Sequence, residues 1–405
     1  MSSTKRTSVL APALVMTGRV SLVLGAIGGI LYGIWSGLVR SSGLPEPWFS
    51  AATLLLWLGT LAVPTTYLIA RSRGRYLPRR VNGLLFGWLG TLFYLGVSVG
   101  LVQVLHLLAP TRWFLTSGPS VAWIVALDSA QVRAVVSAIL ATVFVVAALV
   151  QAARGPIVVR TEIFSERFAA VDGLKIAQIS DVHLGAALPS DYLARAVDQV
   201  NELAPHLVII TGDLLEEPAH RVAGQMECLR NAHAPLGAYF VSGNHDYFTG
   251  IEGCLAHLER CGVRPLRNQR ITLRFGDGEL FLAGVDDPTG RLVPGHGPDY
   301  ERALSGRDES KPLVLLAHEP RAILRASHYK PDLQISGHTH AGQMWPFGFL
   351  VKLVEPYLQG LHRHGDTWIY VNRGTGYWGP PMRFPRRAEI SLLTLRGARS
   401  AANLA

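Results

Sequence analysis

Acidic residues are nearly absent from the first 150 residues of this 405-residue chain. A soluble domain mixes charges of both signs, so this scarcity excludes an ordinary soluble domain there. The polarity becomes mixed beyond about Arg154. Because the chain also exceeds the usual size of a single domain, we predict two structural units, residues 1–154 and 155–405.

Cysteine is also scarce. The chain has three cysteines, Cys228, Cys254 and Cys261, all in its second half and without the Cys-x-x-Cys spacing of a metal or redox motif. We therefore expect reduced, structural thiols in a reducing compartment.

Basic residues, in contrast, are in surplus and give a net charge of +9. Such a surplus can indicate nucleic-acid binding. Many of the arginines, however, flank hydrophobic stretches, where membrane orientation explains them more simply. We therefore expect a membrane partner and no nucleic-acid partner.

Four long runs with few or no charged residues fill the acid-poor region. A helix rises 1.5 Å per residue, so about 20 apolar residues cross a ~30 Å hydrocarbon core. Helices are expected because lipid cannot satisfy backbone amides. The alternative, a bundle buried in a soluble core, would need polar outer faces, and these runs are apolar all round. The predicted spans are residues 20–39, 48–70, 81–108 and 134–153.

The basic residues around these spans predict their orientation. Ten lie on the side that holds both chain ends: Lys5, Arg6, Arg19, Arg71, Arg73, Arg75, Arg79, Arg80, Arg154 and Arg160. Three lie on the opposite side: Arg40, Arg112 and Arg133. By the positive-inside rule, we predict a multi-pass protein of the cell membrane whose second unit faces the cytoplasm.

The second unit has the pattern of an α/β domain, with short β-branched runs that alternate with amphipathic stretches from about Ile157. Five of these runs end just before possible metal ligands. Side chains at the C-terminal ends of strands can converge in one crevice. The five groups are Asp181-Val182-His183, Gly212-Asp213, Gly243-Asn244-His245-Asp246, His318 and Gly337-His338-Thr339-His340.

These groups offer oxygen and imidazole nitrogen but no thiolate, which suits catalytic manganese, iron or zinc rather than a structural zinc site. Seven ligands are too many for one open catalytic ion, so we predict two divalent ions bridged by Asp213. Such a pair would attract a phosphate ester and activate a bridging hydroxide for attack. The predicted ligands are Asp181, His183, Asp213, Asn244, His318, His338 and His340.

His245 has no ligand role in this scheme. We predict that it is the general acid that protonates the departing alkoxide. Asp246, the next residue, is expected to accept a hydrogen bond from its ring and to fix the tautomer. Histidines outside the five groups, such as His257, are expected to be surface or packing residues.

The ordered set of motifs resembles the calcineurin-like metallophosphoesterase superfamily over roughly residues 156–396. The resemblance implies a four-layer sandwich of two mixed β-sheets flanked by helices. It places one ion on Asp181, His183, Asp213 and His340 and the other on Asp213, Asn244, His318 and His338. The segments 337–343, 370–374 and 381–384 are similar to a membrane-linked bacterial branch, although Ala341-Gly342-Gln343 replaces its usual Gly-Gly-Gln.

The leading interpretation is a membrane-anchored hydrolase of phosphate esters. One alternative is a hydrolase of lipid-linked pyrophosphates or phospholipids, and another is a non-catalytic binding scaffold, which should have lost ligands. The oligomeric state and the metal stay open.

An apolar segment, residues 345–354, begins five residues after His340. Large apolar side chains are mostly buried, so one expectation is that this segment belongs to the core. The other expectation is an exposed lip at the lipid headgroup boundary, where Trp and basic side chains are favoured.

Overall fold

A computed structural model describes residues 25–72, 76–108 and 127–397. The chain divides into two compact units. The first consists of the residues up to Tyr76 together with Leu85–Val146, and the second consists of Leu77–Leu84 together with the residues from Ala147 onward.

The apolar part of the chain is helical. Residues 25–34 form helix α1, which continues as a π-helical segment, Trp35–Arg40. Three longer helices follow: α2 (Trp48–Ser72), α3 (Arg79–Leu108) and α4 (Ala130–Ala153). All three are long and apolar enough to cross a membrane, and they correspond to the second, third and fourth predicted spans. The first predicted span begins outside the described residues and stays a prediction.

The outward faces of these helices are as apolar as their inward faces. Ile34, Leu56 and Leu92 pack together in a small core. Leu58 on α2 and Ile139 on α4 are each 60% exposed. Helices without a polar face favour contact with lipid over a bundle in water.

The second unit contains two mixed six-stranded sheets. The strand order is β1-β12-β2-β3-β4-β5 in the first sheet and β10-β11-β9-β8-β7-β6 in the second. Strands β2 to β5 are parallel in the first sheet, as are β7, β8, β9 and β11 in the second. The strands are β1 (Ile157–Phe164), β2 (Lys175–Ile179), β3 (Leu207–Thr211), β4 (Ala238–Val241), β5 (Val263–Pro265), β6 (Gln269–Phe275), β7 (Gly278–Gly284), β8 (Leu313–Leu316), β9 (Leu333–Ser336), β10 (Gly360–His364), β11 (Thr367–Val371) and β12 (Glu389–Arg396).

Short helices connect the strands. The α-helices are α5 (Tyr192–Glu202), α6 (Ala219–Met226), α7 (Asn244–Thr249), α8 (Ile251–Arg260), α9 (Tyr300–Leu304), α10 (Ile323–Ala326) and α11 (Gly348–Val351). The 3₁₀ segments are Glu166–Val171, Glu227–Asn231, Pro288–Leu292, Pro320–Ala322, Ser327–Tyr329 and His340–Gly342.

The central parallel strands are buried because both faces of each sheet are covered, and several of them, such as β3 and β8, are nearly continuous apolar runs. All five residues of β3 are buried. Side chains from both sheets, such as Ile209 and Leu316, share one core. A second core joins the first sheet to α5, α6 and α8, and a third joins the second sheet to α9 and α10. The prediction of two mixed sheets with helices is confirmed for this unit.

Candidate metal centre

The predicted ligands follow the carboxyl ends of strands from both sheets. Asp181 follows β2, Asp213 follows β3 and Asn244 follows β4 in the first sheet. His318 follows β8 and His338 follows β9 in the second sheet. All five groups therefore lie directly after strands, as the sequence predicts, and they come from both sheets.

Five predicted ligands have a left-handed backbone. The φ angles are 52° at Asp181, 56° at His183, 50° at Asp213, 71° at His338 and 49° at His340. Asp and His adopt this region more often than most residues, but it remains uncommon. Such conformations cluster at active sites, where the surrounding structure enforces them.

Asp181, His183 and His340 form one group of possible metal ligands. The Nε2 atoms of the two histidines are 3.0 Å apart, and Nε2 of His340 is 3.5 Å from Oδ1 of Asp181. Burial and the positive charges of His183 and Arg383 lower the pKa of His340 well below its usual value. A neutral imidazole is the form that binds metals.

Asp213, His318 and His338 form a second group. Nε2 of His318 is 3.2 Å from both Oδ2 of Asp213 and Nδ1 of His338. The same Asp213 oxygen is 3.8 Å from Nε2 of His183, so it lies between the two groups. Burial and the charge of His318 lower the pKa of His338 to about 4.

One histidine of each group has its ring orientation fixed by a hydrogen bond to the ring nitrogen that faces away from the other ligands. Nδ1 of His318 is 2.7 Å from the carbonyl oxygen of Thr211, which can only accept, so the proton is on Nδ1. Nδ1 of His183 is 2.9 Å from a carboxylate oxygen of Glu216. In both rings, Nε2 is left to face the other ligands, as is usual for histidines that bind metals.

Asn244 contributes an amide oxygen that accepts no hydrogen bond from the described residues. Its Oδ1 atom is buried and has no partner among the described residues. An unsatisfied buried acceptor is rare and requires an explanation, such as an ion. The oxygen and imidazole donor set, together with this orphan acceptor, fits divalent cations.

Two glycines let the loops approach one another closely. Gly212 has φ 84°, and a Cβ there would lie 2.6 Å from Nδ1 of His318. A Cβ at Gly243 would lie 2.5 Å from the backbone nitrogen of Asp213. Side chains at these positions would push the ligand loops apart.

Glu216, which the sequence interpretation missed, pairs with His245. Its Oε2 atom is 2.9 Å from Nδ1 of His245, the same distance as from Nδ1 of His183. Although burial opposes the charge, hydrogen bonds from the two rings lower the pKa of Glu216 to about 2. This carboxylate follows Asp213 by three residues and belongs to none of the five motifs.

The expected bond between Asp246 and the ring of His245 is wrong. The Asp246 carboxylate accepts hydrogen bonds from the backbone N–H groups of Gly243, Asp213, Leu214 and Leu215 at 2.9–3.1 Å. Both residues lie in the first turn of α7, where adjacent side chains do not face each other. Asp246 therefore ties the β3 and β4 loops together.

Arg383 lies in the segment 381–384 noted in the sequence, which assigned it no role. Its guanidinium is fully buried, lies 3.1 Å from Nδ1 of His340 and donates to the carbonyl oxygen of Gly376. It therefore contacts the ring nitrogen of His340 that does not face Asp181 and His183.

The apolar segment 345–354 is largely exposed. Five of its large side chains are exposed, so the expectation of a buried core is wrong for them: Phe347, Phe349, Leu350, Leu353 and Val354. A cavity of about 200 Å³ lies beneath the segment and reaches His340. Lys352 and Arg386 add two basic side chains to its apolar lining.

Comparison with known proteins places this site in a family. A sequence profile named calcineurin-like phosphoesterase matches residues 174–342. A metallophosphoesterase of Bacillus subtilis is 37% identical over 237 residues, which are 56% of this chain and 80% of that protein. The chain belongs to the calcineurin-like phosphoesterase family.

Other members of the calcineurin-like phosphoesterase family are similar over comparable lengths. A transmembrane protein with a metallophosphoesterase domain from Danio rerio is 40% identical over 276 residues, 66% of this chain and 63% of that protein. A metallophosphoesterase of Helicobacter pylori is 42% identical over 225 residues, 55% of this chain and 60% of that protein. The chain thus spans about three fifths of the length of these two relatives.

Proposed function

We propose that the protein is a membrane-anchored hydrolase of phosphate esters that depends on two divalent metal ions. The observation that carries this proposal is the convergence of six carboxylate and imidazole ligands in two neighbouring groups, together with the buried, unpartnered amide oxygen of Asn244 among the described residues. Membership of a phosphoesterase family and a complete ligand set argue against a non-catalytic scaffold.

The two groups would each hold one ion, with Asp213 shared between them. Its central Oδ2 atom supports the shared role, since that atom lies near His183 on one side and His318 on the other. The first ion would take Asp181, His183, Asp213 and His340, and the second would take Asp213, Asn244, His318 and His338. Manganese, iron and zinc all suit these donors.

Two bound divalent ions would supply Lewis-acid chemistry, neutralising phosphoryl oxygens and lowering the pKa of water. The protein residues would position the reactants and move the proton. Glu216 holds Nδ1 of His245, which leaves Nε2 to give a proton to the departing alkoxide. His245 is 18% exposed at its side chain, so a substrate can reach it.

The membrane placement rests on the apolar helices and on the charge bias around them. Three helices are apolar and long enough to span, and the relative from Danio rerio is named a transmembrane protein. The ten-to-three distribution of basic residues supports a catalytic unit in the cytoplasm.

A second candidate function is the hydrolysis of a lipid-linked phosphate ester, such as a phospholipid or a lipid pyrophosphate. The observation that favours it is the exposed apolar segment 345–354 beside a cavity that reaches His340. Apolar walls would accommodate a lipid chain, and Lys352 and Arg386 would attract its phosphate.

Metal removal tests the main proposal. Full-length protein stripped with a chelator should lose turnover of a phosphodiester panel and regain it with manganese, iron or zinc, because the ligands alone lack a Lewis acid. Asp213→Asn should lose the most activity, since it weakens both ion sites. Full turnover by the stripped protein would contradict the proposal.

A further inference from the structure

A further group of metal-ligating side chains lies where the 3₁₀ segment Glu227–Asn231 meets the end of α8. Glu227, His257 and Cys261 offer a carboxylate oxygen, a ring nitrogen and a thiol sulfur, all within 4.8 Å of one another. None of the three belongs to the seven catalytic ligands. This thiol-bearing group therefore differs in chemistry from the catalytic centre.

The fold holds these three residues on packed elements. His257 and Cys261 are four residues apart at the end of α8, a spacing that puts both on one helix face. Glu227 follows α6 directly, and Met226 shares an apolar core with Leu258 and Cys261. The ligand backbones are thus preorganised by packing.

A buried ring nitrogen of His257 faces the other two side chains. His257 is 3% exposed, and its Nε2 atom is buried without a hydrogen bond. This atom is 3.2 Å from Oε1 of Glu227, but the contact lacks hydrogen-bond geometry. The guanidinium of Arg260 can only donate to Nδ1, so Nε2 carries the ring proton and faces the Glu227 carboxylate. A cation between the two groups would replace that poorly formed contact.

We propose that Glu227, His257 and Cys261 bind a zinc ion, with solvent as the fourth ligand. Zinc accepts thiolate, imidazole and carboxylate together, whereas manganese and magnesium prefer oxygen. Binding releases the thiol proton of Cys261 and places the ring proton of His257 on Nδ1. The guanidinium of Arg260, now 3.0 Å from Nδ1, then turns to solvent from its exposed position.

Bound zinc would join the 3₁₀ segment to α8 and so clamp the helical layer over the first sheet. Sequence motifs do not indicate such a site, because Cys261 has no Cys-x-x-Cys partner and Glu227 is thirty residues from His257. The site is independent of the catalytic proposal, since it shares no ligand with it.

Cobalt substitution tests the site, because a thiolate on cobalt gives a near-ultraviolet charge-transfer band. The catalytic ligands include no cysteine, so only the proposed site gives this band. Full-length protein loaded with cobalt should show the band, and so should Asp213→Asn. Cys261→Ser should abolish it, and Glu227→Gln should weaken cobalt affinity by at least about tenfold.

Cys228→Ser is the matched control, because Cys228 follows Glu227 directly but lies outside the group. This variant should keep the band. Glu227 is exposed, so Glu227→Gln decides the question even if Cys261→Ser misfolds. The proposal is overturned by a wild-type protein without the band, by a band that survives in Cys261→Ser, or by unchanged affinity in Glu227→Gln.

Discussion

His245 is the residue at which proton transfer can be separated from metal binding. In His245→Ala we expect a rate loss of roughly 10² to 10⁴, the usual contribution of a general acid. Metal content should stay unchanged because the seven ligands remain. The loss should shrink for esters with a good leaving group, since a stable anion departs without a proton.

Steady-state rates on esters with graded leaving groups, together with metal analysis, check this expectation. Full activity in His245→Ala with normal metal content would exclude the acid role.

Glu216 offers a second test, because its carboxylate contacts the rings of both His183 and His245. Glu216→Gln should lower turnover by about 10- to 100-fold, the usual cost of losing an outer partner of a ligand or catalytic histidine. Glu217→Gln is the matched control, since Glu217 bonds to Arg221 and to the backbone of Ala186 instead. Equal losses in both variants would indicate a general charge effect.

A conservative variant that recovers activity would identify Glu216 as a positioning residue. Glu216→Asp keeps the charge but shortens the side chain, so we expect it to recover part of the lost turnover. In a His245→Ala background, Glu216→Gln should cost less than in the wild type, because coupled residues are not additive.

The difference between Glu216 and Asp246 shows what the sequence could predict at this scale. Asp246 was an attractive partner because it is adjacent to His245, but a helix begins there and turns the two side chains apart. Glu216 is 29 residues from His245, and only the packing of the β3 loop against α7 brings it close. The proposed ligands could be named from the motifs alone, whereas their outer partners depended on tertiary structure.

At the scale of elements, strand ends were predictable because buried parallel strands are continuous apolar runs. Five such runs ended at ligand groups, and β2, β3, β4, β8 and β9 end there in the structure. The left-handed backbone of five ligands was not predictable, since neither Asp nor His requires it. Contacts between loops impose it.

Helix α11 and its flanks carry the prediction for the lipid-linked substrate. The double variant Phe349→Ser with Leu353→Ser should lower turnover of a phospholipid in vesicles about 10-fold or more, because each side chain loses burial worth roughly 1.5–3 kcal/mol. A small soluble phosphodiester should be hydrolysed at the wild-type rate.

Leu292→Ser is the control for this variant, since Leu292 is equally apolar and 79% exposed on another segment. It should leave both activities unchanged. A loss on both substrates with a lower melting temperature would instead assign Phe349 and Leu353 a structural role.

At the scale of the whole molecule, the charge bias predicts where the catalytic unit resides. A reporter fused after Ala405 should behave as cytoplasmic, whereas fusions near Glu46 and Ser117 should behave as external. The physical reason is the excess of Lys and Arg beside the chain ends. Cleavage of the C-terminal unit by protease added to intact cells would overturn this topology.

Composition distinguishes an acid-poor apolar region from an α/β region, because lipid and water select different outer surfaces. It did not predict the π-helical segment Trp35–Arg40. Such a segment adds a residue to the turn without any change in apolar content.

The origin of the ligands from both sheets has a mechanical consequence. Asp181, Asp213 and Asn244 are carried by the first sheet, and His318 and His338 by the second. Each proposed ion would therefore act as a cross-link between two layers that also meet through apolar contacts and through hydrogen bonds such as that from Gln178 to the carbonyl oxygen of Ser336. Metal binding would stabilise the paired sheets by mass action, because the ions bind the folded arrangement. Release of the ions would require local separation of the two layers.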